Sequence, residues 1–246
     1  MTEPAPYRLA PRPADWEAAG ASMAARGWAQ IDPFLHPDDA EALARHLESR
    51  DDWHQHVNQG PKLFEIPRHV RLGFDKAKRE ALDAAVYRNA SQGFQYRFEG
   101  LRVADDRRAW RDDPLHRLAA TLNRSDTIAA FARLLGSPDV GFADAQATLY
   151  SPGDFLTDHD DDVAGKNRRA AYVFSMTRGW RADWGGLLLL QDNADRADRF
   201  TALVPGWNRL TLFRVPRRHS VSLVSPAAPR GRLSVTGWLR AGEPTG

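Results

Sequence analysis

The second half of this chain has the pattern of a β-sheet protein, and this pattern limits the possible folds more than any other feature. From Val140 onward, short apolar or alternating segments follow one another, separated by Gly, Pro and Asp. Short strands ended by such turn residues are typical of a sandwich or jelly roll. The predicted strands are Ala143–Tyr150, Arg169–Met176, Gly186–Gln191, Phe200–Val204, Arg209–Val215, His219–Val224 and Leu233–Leu239.

The first half is predicted to be mostly helical, because up to about residue 136 apolar residues recur three and four positions apart. Helices are expected from Pro37, over Asp75–Asn89 and over Leu115–Leu135, and a strand over Phe94–Val103. The apolar face of the helix at Pro37 consists of Ala40, Leu43, Ala44 and Leu47. The predicted fold class is therefore α+β, with helices mostly from the N-terminal half packed on one face of a jelly roll.

The length and composition fit one domain, because 246 residues of which 42% are hydrophobic can bury one sizeable core. We assign residues 1–27 to an N-terminal extension, 28–240 to a single domain and 241–246 to a tail. Helical support is predicted over about residues 28–136 and the jelly-roll core over about 140–240.

Cysteine content and charge narrow the classes of function. The chain has no cysteine, which excludes disulfides and thiolate metal ligands and fits a reducing cytoplasm. Its 34 basic and 32 acidic residues form no basic block, so we expect no nucleic-acid partner. No leader-like segment begins the chain, and no apolar run reaches the roughly 18 residues of a membrane span. We therefore expect a cytoplasmic protein without a membrane partner, monomeric or homodimeric.

The segment His159-Asp160-Asp161, with His219 further along, is the clearest candidate for chemistry. His159 and Asp161 are two positions apart, so on an extended segment their side chains point to the same face, and Asp160 points away. His219 lies 58 residues beyond Asp161, so only a sheet that curls back can bring it to the same ion. Two imidazoles and one carboxylate leave coordination positions open on a ferrous ion, as a catalytic site requires.

A calcium loop is an alternative, because Asp158, Asp160 and Asp162 alternate. It fails on two positions: Val163 stands where the tight turn requires Gly, and Arg169 where the bidentate Glu belongs.

An H-x-H pair, His54 and His56, follows Trp53 in a polar stretch without a matching carboxylate. We interpret this pair as part of a solvated loop. The surrounding segment, residues 54–68, contains Gly60, Pro61 and Pro67 and is either a flexible lid over a substrate or an irregular connection.

Five ordered segments carry a resemblance to a known family. Tyr150-Ser-Pro-Gly-Asp-Phe-Leu-Thr-Asp-His159-Asp-Asp161 resembles the Y-x-x-G-x-x-x-x-x-H-x-D segment of the prolyl 4-hydroxylase-like branch of iron(II), 2-oxoglutarate-dependent oxygenases. Three later segments are similar to its G-G-x-L, P-x-x-N-x-x-x-x-F and R-x-S-x-T-x-W strands, and one early segment to its opening. They are Trp184–Leu188, Pro205–Phe213, Arg232–Trp238 and Ile31–Leu35. The resemblance implies a double-stranded β-helix, the cupin-like jelly roll.

The resemblance also implies roles for individual residues. His159, Asp161 and His219 would hold Fe(II), with 2-oxoglutarate and O₂ at the open positions. Arg232 would bind the distal carboxylate of 2-oxoglutarate, because a guanidinium meets a carboxylate through two parallel charged hydrogen bonds. Arg230 is the competitor, but the family's arginine lies six residues before the closing Trp, which fits Arg232 and Trp238.

Further contacts to 2-oxoglutarate are expected from Tyr150, Tyr172, Ser175 and Ser234. The hydroxyl of Tyr150 could donate to the same carboxylate, although Tyr150 could equally be a half-buried aromatic with a solvated hydroxyl. Ser175 stands where many relatives carry a tyrosine, so the co-substrate's hydrogen bonds differ in part. Tyr172 and Ser175 have opposite parity and cannot both face inward.

The reaction that the resemblance implies is hydroxylation of an unactivated C–H bond, with release of succinate and CO₂ and with ascorbate as a supporting reductant. A prolyl or other residue of a protein or peptide is the expected substrate, and a free amino acid or small metabolite is the alternative. The polar loops at residues 163–168 and 191–199 would admit either. A different class also stays open, a non-catalytic jelly roll that senses 2-oxoglutarate or iron.

Overall fold

The structure is a computed structural model that describes residues 5–192, 196 and 198–242. The helices in these residues are α1 (Pro13–Arg26), α2 (Pro37–Ser49), α3 (Arg68–Leu72), α4 (Lys76–Ala90), α5 (Pro114–Leu122) and α6 (Ser125–Leu135). Single 3₁₀ turns lie at Arg107–Ala109 and Ala182–Trp184. The predicted helix at Pro37 is confirmed, and its four apolar residues are all buried.

The strands are β1 (Trp28–Ile31), β2 (His54–Gln59), β3 (Lys62–Pro67), β4 (Tyr96–Arg102), β5 (Val140–Ala143), β6 (Gln146–Tyr150), β7 (Phe155–His159), β8 (Arg168–Ser175), β9 (Leu188–Gln191), β10 (Phe200–Leu203), β11 (Arg209–Arg214), β12 (His219–Val221) and β13 (Arg232–Ala241). They form one curled antiparallel sheet in the order β1-β11-β8-β13-β6-β4-β7-β12-β9-β10, with the β2–β3 hairpin on β4 and β5 on β13. This is the predicted α+β jelly roll, so the fold-class prediction is confirmed.

The largest core lies between the helices and the outer face of β6, β8, β11 and β13. Alternation decides which residues enter it: Tyr172 and Phe174 of β8 and Leu233 and Val235 of β13 belong to this core. The residues between them on each strand point into the curl of the sheet. Helix α1, which lies within the segment assigned to an N-terminal extension, also packs here and buries Met23 completely.

Residues 54–67 differ from the expectation of a solvated loop, a lid or an irregular connection. They form the hairpin of β2 and β3, and β2 pairs with β4 along its other edge. The segment looked like a loop because it is polar, but three of its polar side chains, Gln55, His56 and Asn58, are buried. Asn58 donates to the carbonyl of Phe94, and His56 lies 5.3 Å from the Phe98 ring.

Two expectations fall partly outside the described residues. The predicted loop at 191–199 includes residues 193–195 and 197, and the predicted tail at 241–246 includes 243–246; none of these is described. No helix among the described residues is long and apolar enough to cross a membrane.

Candidate active site

The structure brings His159, Asp161 and His219 together at one point of the curled sheet. Strands β7 and β12 pair antiparallel with His219 directly opposite His159, so the two rings lie 4.1 Å apart although 60 residues separate them in sequence. The Nε2 atoms of His159 and His219 lie 3.7 and 3.4 Å from the Asp161 carboxylate oxygens. One ligand atom from each of the three residues lies within 4.8 Å of the others.

The hydrogen bonds of the two histidines leave the lone pairs of their Nε2 atoms available to a metal ion. Nδ1 of His159 donates to the carbonyl of Thr157 at 3.0 Å, and Nδ1 of His219 donates to the carbonyl of Arg217 at 2.9 Å. Because a carbonyl can only accept, the proton lies on Nδ1, and the lone pair of Nε2 points toward Asp161. Such partners fix the tautomer and the orientation of a histidine that ligates a metal.

Protonation also favours this arrangement. Burial lowers the pKa of His219 from 6.5 to about 4, so its imidazole is neutral near pH 7. Burial alone would raise the pKa of the Asp161 carboxyl. Its interactions with the nearby His159 and His219 outweigh burial, so this pKa lies below its usual value. Asp161 is therefore an anion next to the neutral imidazole of His219, as cation binding requires.

Arg168, at the start of β8, contacts Asp161. Its guanidinium donates to the main-chain carbonyl of Asp161 at 3.1 Å and lies 3.5 Å from the Asp161 carboxylate. The same group lies 3.5 Å from the ring centre of Trp238 on β13. Asp161 therefore keeps a fixed position although it follows the end of β7 and belongs to no strand.

A cavity of about 130 Å³ opens beside these three residues, inside the curl of the sheet. Its wall is largely apolar and includes Leu188, Phe213 and Val221. The predicted metal ligands His159, Asp161 and His219 line it, and so does Arg232. The candidate metal centre and the candidate carboxylate-binding arginine therefore share one enclosed space.

Arg232 has the features of an anion-binding residue. Arg232 is 3% exposed, its Nε has no hydrogen-bond partner, and it forms no ion pair among the described residues. Burial lowers the pKa of its guanidinium to about 10, which still leaves it charged at neutral pH. A buried cation without a partner is costly, so this position suits an anionic ligand.

The two predicted serines, Ser175 and Ser234, lie on the inner face of the sheet, as Arg232 does. Ser234 faces the curl like Arg232, and it pairs across the strands with Ser175 of β8. The hydroxyl oxygens of both serines are buried and have no hydrogen-bond partner in the described structure. Tyr150 of β6 pairs with Arg232, whose guanidinium lies 5.5 Å from the Tyr150 ring. Ser234, two positions from Arg232 on β13, and Tyr150, paired with Arg232, thus lie near this guanidinium, and Ser175 pairs with Ser234.

Tyr172 differs from the expectation that its side chain contacts 2-oxoglutarate. Its side chain packs in the large core on the outer face of β8, and its hydroxyl donates to the carbonyl of Asp144 at 2.7 Å. The cavity lining includes Tyr172, but the Tyr172 hydroxyl is engaged with Asp144, and Ser175, of opposite parity, pairs with Ser234 on the other face of β8. We therefore remove the Tyr172 side chain from the residues expected to bind a co-substrate.

Arg230 lies apart from this group. Its side chain is exposed and donates to the carbonyl of Arg178 on the surface. The choice of Arg232 over Arg230 as the residue that lines the cavity therefore agrees with the structure.

Three residues of the site were not found from the sequence. Arg168 was placed in a polar loop, and the sequence offers no signal that a residue seven positions after Asp161 returns to it. Thr148 and Phe98 also line the cavity. Phe98 had a visible signal, because Phe94, Tyr96 and Phe98 form an aromatic alternation at the edge of a predicted strand.

Comparison with known proteins agrees with this geometry. Residues 145–240 match the family model described as the 2OG-Fe(II) oxygenase superfamily. This part of the chain is therefore similar to the superfamily. The matched segment contains His159, Asp161, His219 and Arg232, the three candidate metal ligands and the candidate carboxylate-binding arginine. The resemblance predicted from the five segments is thus confirmed.

One relative of the chain is a protein named as a prolyl hydroxylase. The mouse prolyl 3-hydroxylase OGFOD1 is 34% identical over 101 residues, which are 39% of this chain and 18% of the mouse protein. The chain therefore matches less than a fifth of that relative's length.

Solved structures share the fold of the whole domain. A Pseudomonas putida prolyl-4-hydroxylase superposes with a TM-score of 0.59 at 19% identity, over 92% of this chain and 99% of the other. A Trichoplax adhaerens prolyl hydroxylase, solved in complex with a peptide fragment of the hypoxia inducible factor oxygen degradation domain, gives 0.57 at 13% identity, over 93% and 91%. Both show the double-stranded β-helix fold of the superfamily.

Proposed function

We propose that this protein is an Fe(II)- and 2-oxoglutarate-dependent dioxygenase that hydroxylates an unactivated C–H bond in a prolyl or other residue of a protein or peptide. The observation that carries the proposal is the pairing of two groups in one cavity. One is a cluster of two imidazoles and a carboxylate, and the other is a buried guanidinium without an ion-pair partner among the described residues.

The three candidate ligands suit ferrous iron. Two Nε2 atoms and one carboxylate are the donors of the facial triad of non-heme Fe(II) oxygenases, which leaves positions open for other ligands. His159, Asp161 and His219 would hold the ion. The carbonyls of Thr157 and Arg217 would keep both imidazoles in the ligating tautomer, and Arg168 would hold the carboxylate.

The polar atoms around Arg232 suit the distal carboxylate of 2-oxoglutarate. Arg232 Nε and the hydroxyls of Ser175 and Ser234 are buried without hydrogen-bond partners, which costs free energy unless a ligand supplies acceptors. A carboxylate would accept from all three. The apolar wall of the cavity would surround the methylene groups and exclude water from the site.

When bound, Fe(II) and 2-oxoglutarate supply oxidative decarboxylation, in which one atom of O₂ enters succinate, CO₂ leaves and the other oxygen atom enters the C–H bond. The chain itself binds the keto acid through Arg232 and orients it toward the metal ligands. Asp161 keeps its negative charge in the buried site, and Leu188, Phe213 and Val221 exclude water.

A peptide substrate is proposed from the relatives, which are named as prolyl hydroxylases, one of them solved with a peptide fragment. Incubation with lysate of the source cells and a search for +16 Da products in peptides and in metabolites would separate this substrate from a free amino acid or small metabolite.

The central test is conversion of 2-oxoglutarate to succinate by the purified protein with Fe(II), O₂ and ascorbate. We expect succinate from the wild type and none from the Asp161→Ala or His219→Ala variants. Unchanged turnover in either variant would remove that residue from the metal site. If the wild type binds metal and 2-oxoglutarate without forming succinate, even with substrates added, the protein is a sensor and the proposal is wrong.

A further inference from the structure

Four aromatic rings form a continuous row from the surface into the cavity. We call Phe94, Tyr96, Phe98 and Tyr150 the aromatic row. Ring centres are 5.6 Å apart between Phe94 and Tyr96, 5.5 Å between Tyr96 and Phe98, and 5.2 Å between Phe98 and Tyr150. The first three are two positions apart, so the extended backbone at β4 places them on one face.

The outer end of the row lies directly beside the candidate metal centre. The Phe94 ring is 5.1 Å from the ring of His159. Phe98 and Tyr150 belong to the wall of the cavity, whereas Phe94 and Tyr96 lie outside it. Since the cavity is assigned to 2-oxoglutarate, the outer two rings are available to a second molecule that approaches the same metal.

Phe94 is exposed in a way that core packing does not explain. Its side chain is 47% exposed, and Tyr96 next to it is half-buried. An apolar patch exposed beside a reactive centre is a mark of a ligand-binding surface.

The backbone under the outer rings is fixed, so Phe94 is not a side chain on a loose loop. The Asn58 amide donates to the Phe94 carbonyl at 3.0 Å and accepts from the Tyr96 N–H at 2.9 Å. Gln95 between them donates its N–H to Thr157 and accepts from the Thr157 N–H, which ties the segment to β7 two residues before His159. The rings are thus held in a constant position relative to the metal ligand.

We propose that Phe94 and Tyr96 are the specificity-determining platform for the substrate, and that they stack on the pyrrolidine ring of a prolyl residue in an extended peptide. This inference rests on the proposed function. Aromatic faces are electron-rich and pack well against uncharged, preformed rings, and aromatic-lined surfaces bind extended Pro-containing segments for this reason. Stacking on Phe94 would hold the ring beside His159, where its C–H bonds face the metal centre.

The test measures peptide binding separately from turnover. The probe is fluorescein-labelled decaproline, and the protein is loaded with 2-oxoglutarate and with Mn(II) in place of iron. Fluorescence anisotropy gives the Kd for the wild type, Phe94→Ala, Phe94→Leu, Tyr96→Leu and the control Leu72→Ala. Leu72 is also an exposed apolar residue, but it lies on α3 and does not line the cavity.

We expect Phe94→Ala to weaken decaproline binding roughly tenfold, because it removes an aromatic contact and its buried area. Phe94→Leu and Tyr96→Leu should also weaken binding, since a leucine lacks the ring face, and Leu72→Ala should leave the Kd unchanged. Phe94 is half solvated, so its variants should keep the melting temperature of the wild type within a few degrees.

Three outcomes would overturn the proposal that Phe94 and Tyr96 bind the substrate. One is an unchanged Kd in Phe94→Ala. Another is no binding of decaproline by a wild-type preparation that converts 2-oxoglutarate to succinate. The third is a loss of Mn(II) affinity in Phe94→Ala that accounts for the whole loss of peptide affinity, since Phe94 would then act through His159. Succinate formation by the wild type, measured on the same preparation with Fe(II), tests the proposed function independently.

Discussion

The guanidinium of Arg168 lies between the ring of Trp238, 3.5 Å from its centre, and the main-chain carbonyl of Asp161, to which it donates at 3.1 Å. The aromatic face limits where the guanidinium can go, and the guanidinium limits where Asp161 can go. The carboxylate at the candidate metal centre is thus positioned by the closing strand of the sheet, although Asp161 itself belongs to no strand.

Arg168→Met should weaken metal binding without unfolding the protein. The side chain keeps an apolar contact with Trp238 but loses the hydrogen bond to Asp161. Loss of a partner that orients a ligand typically costs about 10- to 100-fold in metal affinity. Titration of the protein with Mn(II), followed by electron paramagnetic resonance, measures this affinity directly.

Arg169→Met is the matched control, because the neighbouring arginine pairs with Asp139 on the surface at 2.6 Å. Its Mn(II) affinity should equal that of the wild type. Equal affinity in Arg168→Met would mean that Asp161 keeps its position without this contact.

Arg232→Met should separate stability from ligand binding. Without ligand, the variant should melt at the same or a higher temperature, because a buried charge without an ion pair among the described residues is replaced by an apolar side chain. The KM for 2-oxoglutarate should rise at least about 30-fold, since hydrogen bonds to a charged group contribute about 1.5–3 kcal/mol each. Succinate assays and thermal melts with and without 2-oxoglutarate check both.

Arg230→Met provides the comparison for Arg232→Met, because Arg230 is an exposed arginine two residues away on the same chain segment. Arg230→Met should change neither the melting temperature nor the KM for 2-oxoglutarate. A raised KM in Arg230→Met alone would reverse the assignment.

His219 should make the metal-free protein sensitive to acid. Its pKa in the folded state, about 4, lies below the ordinary value of 6.5. Between these values the unfolded state binds more protons, so stability falls as the pH decreases from 6.5 to 4. The full difference corresponds to about 3 kcal/mol in the free energy of unfolding.

Urea unfolding of the chelator-treated protein at pH 7.5 and at pH 4.5 measures this loss. His219→Gln should lose less stability than the wild type over this interval, and His69→Gln, at an exposed histidine of α3, should behave like the wild type. An identical pH dependence in His219→Gln and the wild type would argue against a buried neutral imidazole.

Gly185→Ala should destabilise the protein by about 3 kcal/mol or more. Gly185 has φ +67° and ψ −149°, a region that only glycine adopts readily, and an added Cβ would lie 2.0 Å from the carbonyl oxygen of Leu223. Gly165→Ala tests the backbone term alone, because φ is +79° there but nothing lies within 4 Å of the added Cβ. It should cost only about 1–2 kcal/mol, and equal losses in both variants would exclude the steric contribution.

The sequence predicted those parts of the site in which parity and family spacing act together. His159 and Asp161 share a face, and Arg232 and Ser234 share another, so the correct residues could be named without coordinates. Parity shows that Tyr172 and Ser175 face opposite ways, but not which of the two side chains packs in the core. The helices above β8 decide this, because they bury Tyr172 and Phe174.

The β2–β3 hairpin and Arg168 could not be predicted for a different reason. Polar residues such as Gln55 and Asn58 are buried in the hairpin, where contacts distant in sequence satisfy Asn58, and a local pattern cannot reveal this. Arg168 reaches Asp161 only because the intervening segment returns to the start of β8. The direction in which the chain returns depends on the curl of the whole sheet, which a local sequence pattern does not reveal.

The direct pairing of His159 with His219 gives a bound metal a mechanical role as well as a chemical one. Strands β7 and β12 meet at these residues, and 60 residues of chain connect them. An ion held by both would be a reversible cross-link closing a long loop, in a chain that has no cysteine to form one. Removing the ion would open that loop. Strands β7 and β12 should then become the first part of the domain to exchange their amide hydrogens.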